Sequence, residues 1–206
     1  MPNTDISLES REAQSGDLAA TLSRTHQKHK QDFLLMYALK AMEHNEIVLT
    51  PRLADELIES GKTQSYEAGR LAVQTLRFGV KHARPYVGTE VMANLLDIAA
   101  FRKLRVDEKV KNKSGADTIR HEMHVLRECI TAATAIIVDR PAYADGAINQ
   151  GFQSLGAERA ETPGTQFDKA YCGSLAKELR ALQIVHDDAV GRRSGFVLET
   201  GKSRRL

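Results

Sequence analysis

His121, His124 and Glu128 come nearest, by residue type and spacing, to a metal-binding set in this chain. At i, i+3 and i+7 they share one face of a helix, and two imidazoles with a carboxylate suit zinc or iron. The same helical arithmetic turns them outward. At about 100° per residue, Met123, Leu126, Ile130, Ala133 and Ile137 gather in one direction, and Val125, Cys129 and Ile136 widen that arc. The two histidines and Glu128 lie nearly opposite, whereas ligands in a bundle core point inward. A solvated polar face is the leading reading; a metal site and a partner contact are the alternatives.

A second set is Glu43, His44 and Glu46. A carboxylate-bridged di-iron site wants Glu-x-x-His on each of two helices and a single Glu on two others. No Glu in the chain is followed three residues later by His. Glu43 and Glu46, joined by His82 from another helix, could build a reduced version. Polar anchoring at a helix end accounts for the same residues more simply.

Other reactive side chains read as structural. His186 continues the stripe Phe167, Tyr171, Leu175, Leu179 and Leu182, near a helix C-terminus where a cation or donor is favoured. A nucleophilic Cys172 would need a positioned base. His186 stands four turns away, roughly 20 Å along the same helix, and cannot serve. Cys129 and Cys172 are the only cysteines, and both read as buried, reduced thiols. No Gly-x-Ser-x-Gly elbow, P-loop or dinucleotide fingerprint occurs. The final stretch carries Arg192, Arg193, Lys202, Arg204 and Arg205 against Glu199, a local charge of +4. A solvated terminus, a partner-docking tail and nucleic-acid contact all remain open for it. Nucleic-acid modules usually add stacking aromatics, yet the chain has no Trp and the tail only Phe196.

These side chains must be positioned by helices. The chain has 206 residues, 29 of them basic and 27 acidic, for a net charge of +2. That length suits one helical domain with short extensions, and that balance argues against a DNA-coating protein. No apolar run reaches membrane-spanning length, and Met1 to Lys30 has no signal-peptide-like run. Residues 1–28 are expected as a polar extension with at most a short helix near 17–24, residues 29–190 as the bundle, and 191–206 as a basic tail. Helices are expected near 30–49, 64–83, 90–112, 118–138 and 166–189. The first is widely apolar and expected to sit centrally, with Phe33 and Met36 inward. Thr50 and Pro51 signal a short helix closing at Gly61. Thr63 or Ser65, Thr89 and Asp117 are candidate caps for the later helices. Gly69 and Gly79 fall inside a helix, each costing about 1 kcal/mol against Ala, which either close packing against a neighbouring backbone or a different helix boundary would explain. A short helix is expected near 147–155. Further inward candidates are Leu71, Leu76, Leu95, Phe101, Leu126, Ile130, Phe167, Tyr171, Leu175 and Leu182.

The segment Gly164-x-x-Phe167-Asp168-Lys169-Ala170-Tyr171 begins like a capped helix at Thr165. It resembles a helix start in a bacterial ferritin-like family of unknown function. Asp32-Phe33-Leu34 with the run Ala41 to Leu49 is similar to that family's opening helix, and Leu76 with His82-Ala83 to its second. The resemblance implies a helical bundle and, as an alternative function, a metal site of Glu43, Glu46 and His82, with Glu178, near the place of the family's mid-helix His, as a further candidate, holding iron or another transition metal. The chain departs from the pattern in lacking the export signal, the family's mid-helix His and its closing helix.

The expected fold is therefore all-α: an antiparallel bundle of about five helices with flexible polar termini. The leading function is a non-catalytic, cytoplasmic interaction protein, such as an adaptor, chaperone or assembly component. It would hold no cofactor and bind protein partners, with a homo-oligomer also open. Ferritin-like metal binding and nucleic-acid binding through Arg192, Arg193, Lys202, Arg204 and Arg205 are the alternatives.

Overall fold

The computed structural model describes residues 6–63, 65–81, 83, 85–143 and, with gaps, 181–191. Helix follows helix: α1 Leu8–Arg24, α2 Lys28–Glu43, α3 Pro51–Gly61, α4 Tyr66–Val80, α5 Pro85–Lys111 and α6 Ala116–Asp139, then a single 3₁₀ turn over Pro141–Tyr143. No strand occurs among the described residues, so the all-α expectation holds. The most extensive packing joins α5 to α6, followed by α2 to α4 and α4 to α6. Helix α4 thus sits between neighbours, while α1 lies across α3 and α2. Leu35, Leu57, Leu76, Leu95, Leu126 and Ile130 are among the fully buried side chains where these helices meet. Leu71 and Leu182 are buried too, and Phe101 is half-buried.

Local chemistry sets several boundaries. Thr50 accepts the Leu53 N–H at 3.3 Å, and Pro51 fills the first helical position of α3, which needs no amide hydrogen. Ser65 caps α4 by accepting from the Ala68 N–H. Helix α2 ends sooner than its apolar run suggests. Asn45 takes a left-handed conformation, φ 57°. The Glu46 N–H then reaches back to the Ala41 carbonyl and the Asn45 N–H to Met42, satisfying carbonyls that the helix end would orphan. Ile47, Val48 and Leu49 continue outside any helix, yet buried. Pro85 opens α5, so Thr89 lies within that helix rather than capping it. Gly115 precedes α6, which leaves Asp117 in the first turn, paired with Arg120 at 3.0 Å.

Two expectations about the N-terminal third are corrected. The short helix near 17–24 is instead the whole of α1, anchored by Ser15, Leu18, Ala19 and Leu22. Those four recur at i, i+3, i+4 and i+7, a helical stripe concealed by a serine and an alanine. Ser15 is at home there: its hydroxyl donates to the Val48 carbonyl at 2.7 Å and accepts the Val48 N–H at 3.1 Å. Second, Phe33 and Met36 point outward, 72% and 44% exposed. Helix α2 buries Leu35, Ala38, Leu39, Ala41 and Met42 instead. The expected inward residues Phe167, Tyr171 and Leu175, the helix near 147–155 and most of 166–189 fall outside the described residues.

Helix α5 closes through the same device as α2, but with Lys113 at the left-handed position, φ 51°. The Ser114 N–H reaches the Lys109 carbonyl and the Lys113 N–H that of Val110. A side chain there costs about 1–2 kcal/mol, whereas glycine carries only its extra unfolded-state entropy. Lys113→Gly is expected to stabilise the protein by about 0.5–1 kcal/mol in urea unfolding, with Asn45→Gly near neutral because asparagine tolerates this conformation. A loss of stability in Lys113→Gly would show the α5 cap to be wrongly assigned.

Candidate functional site

Among the described residues, the densest buried charge is a cluster that motif spacing does not reveal. Arg102, from the middle of α5, is fully buried. Its Nη1 donates to Glu122 Oε2 of α6 at 2.7 Å. Its Nε and Nη2 both donate to the Gly61 carbonyl, at 3.1 and 2.7 Å, and Nη2 also reaches the Ser65 carbonyl at 3.4 Å. The other Glu122 oxygen takes Arg105 Nε at 2.9 Å, with Lys109 Nζ at 3.8 Å. One carboxylate thus faces three cations, and one of them, the Arg102 guanidinium, also rests against the carbonyl end of α3, where a helix favours a cation. Gly69 makes the route possible. A Cβ there would collide with the Arg102 guanidinium, so the helical glycine is explained by close approach. Gly79 is explained likewise, by Leu49 and Met42. These groups are committed to one another, and the arrangement clamps α3, α5 and α6 together.

On the surface, α4 meets α6 in a polar chain. Tyr66 Oη lies 2.6 Å from His124 Nδ1, and His124 Nε2 is 3.5 Å from Glu128 Oε1. The Tyr66 ring stacks on His121 with centroids 4.4 Å apart. His121 and His124 are exposed and Glu128 half-buried, on the side that the helical wheel gave them. Tyr66 is the member missed, because nothing in the spacing of one helix reveals a neighbour from another. Among the described residues, no group of three or more His, Cys, Asp or Glu is placed to hold a metal ion.

The Glu43, Glu46, His82 and Glu178 set is only partly visible. Glu43 is exposed and paired with Lys40 at 2.6 Å. Glu46 is exposed beyond the end of α2. Neither turns into the core, since the early stop of α2 removes Glu46 from the helix. His82, Glu178, His186, Cys172 and the basic residues Arg192, Arg193, Lys202, Arg204 and Arg205 lie outside the described residues. Cys129 is buried, and desolvation pushes its thiol well above the usual range. It lacks the thiolate character that reactivity needs.

Two surface features remain. A cleft of about 300 Å³ opens between α1, the 47–50 link and the first turns of α3 and α5, lined mainly by Leu8, Val48, Leu49, Pro51, Tyr86 and Val87. It gathers no set of catalytic side chains. On α2, Phe33, Met36 and Tyr37 stand 72%, 44% and 47% exposed. At i, i+3 and i+4 they form one outward apolar stripe. No helix among the described residues is long and apolar enough to cross a membrane.

No protein family, curated protein or solved structure matches this chain.

Removing one partner of a buried ion pair strands the other charge. Glu122→Ala is therefore expected to cost about 3–5 kcal/mol in chemical unfolding, and a cost near zero would show the clamp to be dispensable. Gly69→Ala gives an independent test with an inverted sign. Helix propensity alone would make it stabilising by about 1 kcal/mol, but displacing the Arg102 guanidinium is expected to make it destabilising by about 1–3 kcal/mol.

Proposed function

We propose that this chain is a non-catalytic helical interaction protein, an assembly component or adaptor, that works through the outer face of α2. The carrying observation is the stripe of Phe33, Met36 and Tyr37 in water. The same helix buries Leu35, Leu39 and Met42 on its inner side, so it is apolar on two faces. The inner face is spent on folding. An outer stripe of this kind marks a contact surface in a soluble protein, and aromatic residues with methionine are the types enriched at interface cores. The interior supports the same reading, because its main charged cluster is bound up in helix-to-helix hydrogen bonds. A cytoplasmic setting belongs to the proposal, with Cys129 kept as a reduced structural thiol. The metal-binding and nucleic-acid alternatives draw on His82, Glu178 and the basic tail, and no observation among the described residues favours them.

A photo-reactive residue at position 33 of the full chain, expressed in cells, tests the proposal. A second probe at Lys111, exposed on α5, serves as the control. Discrete protein adducts are expected from position 33 and not from 111. They should disappear when Met36 and Tyr37 are both changed to serine, with the circular dichroism spectrum unchanged. Equal labelling from both positions, or none from 33, would count against the α2 face as a contact surface.

A further inference from the structure

We propose that the outer face of α2 pairs with the same face of a second copy, the two helices antiparallel. This rests on the reading of that face as a contact surface and names its occupant.

The order of side chains along the face carries the argument. From its start, the exposed side of α2 presents His29 and Lys30, then Phe33, Met36 and Tyr37, then Lys40 and Glu43, with His44 at the C-cap. A two-fold axis between Met36 and Tyr37 matches this series to itself. Met36 of each copy meets Tyr37 of the other, a favourable contact between thioether and ring. Phe33 meets Lys40, whose stem can lie across the ring with its ammonium near the π face. Lys30 meets Glu43. All three matches occur in one register, and symmetry repeats each of them. In a parallel pair the same face would set Lys30 against Lys30 and Glu43 against Glu43. The antiparallel arrangement also aligns the helix dipoles favourably.

The internal geometry is compatible. Glu43 is held by Lys40 of its own helix at 2.6 Å, so in the pair it would lie between that ammonium and Lys30 of the other copy. The face is unobstructed enough to reach: Phe33 is 72% exposed and the Lys40 side chain 60%. Helix α2 has 16 residues, about 24 Å of length. One helix pair of that size, a strip about 10 Å wide, falls below the roughly 1,200 Å² of a standard interface, in the range of weak, transient contacts. A reversible dimer with a dissociation constant on the order of tens of micromolar is the consequence.

Sedimentation velocity on the full chain up to roughly 200 µM is the test. The expected result is a monomer–dimer equilibrium. Lys30→Glu alone and Glu43→Lys alone should each weaken it about tenfold or more, since each places like charges opposite one another twice. An equimolar mixture of the two variants should regain wild-type association, because unlike charges again face each other in the heterodimer. A folding defect cannot produce that rescue. A chain monomeric throughout the series, or a mixture no tighter than its components, would overturn the pairing. The probe at position 33 separates the two proposals. Adducts of twice the chain's mass support self-pairing. Adducts to other proteins from a monomeric chain overturn it and leave the contact surface standing, and neither adduct nor dimer removes both.

Discussion

A single guanidinium holds the arrangement of four helices. Arg102 leaves α5, passes over the α4 backbone at Gly69, bonds the last carbonyl of α3 at Gly61 and meets Glu122 on α6. Burying such a charge carries a desolvation penalty of several kcal/mol. The penalty is offset only if every donor finds an acceptor, and that requirement fixes distances among elements far apart in sequence. The turn between α3 and α4 must present Gly61 and Ser65 toward α5. Helix α6 must be in register to place Glu122 opposite both Arg102 and Arg105. A slip of one residue along α6 would leave the carboxylate about 100° away around the helix. The same slip would turn the apolar arc of α6 away from the core. The apolar core and the clamp therefore select the same register.

The parts of the fold legible in sequence were those governed by neighbours along the chain. Thr50-Pro51 places one helix start, and Ser65, one of two candidates with Thr63, another, because a cap acts within three residues, although the same signal misplaced the starts of α5 and α6 at Thr89 and Asp117. The inward arc of α6 was equally plain, since Val125, Leu126, Cys129, Ile130, Ala133, Ile136 and Ile137 are all buried. Legibility failed where the deciding partner lies on another element. Ser15 reads as polar until the Val48 backbone is set against it. The carboxylate at 122 sits one residue from an exposed histidine, and its burial follows from cations on α5. Gly69 advertised a close approach without revealing what approached. Tyr66 could not be joined to His121 and His124 before α4 and α6 were laid together.

Helix α2 shows a different limit. Its sequence is apolar around most of its circumference, so periodicity could not decide which face turns inward. The choice is settled by size. Helix α4 approaches closely at Gly79, where an added Cβ would collide with Leu49 and crowd Met42, and the inner face of α2 contributes the small Ala38 and Ala41 beside Leu35, Leu39 and Met42. An alanine-containing face allows a neighbouring backbone near; a face of Phe33, Met36 and Tyr37 would hold it off. The large side chains are consequently left outside by the geometry that makes the inner contact tight.

That division bears on how such a protein can work. Among the described residues, the buried polar groups of the Arg102–Glu122 cluster are closed by their own hydrogen bonds. The chain instead leaves open apolar area on a rigid element. Presenting such area on a packed helix limits the entropy lost when a partner binds, because the backbone is already ordered. In the proposed pair, charged residues at the two ends of the stripe would set orientation, since they carry little net affinity but penalise the wrong alignment. In the proposed pair, a helix with Lys30 near its start, Glu43 in its last turn and an aromatic and thioether middle meets its own antiparallel image as a charge-matched partner.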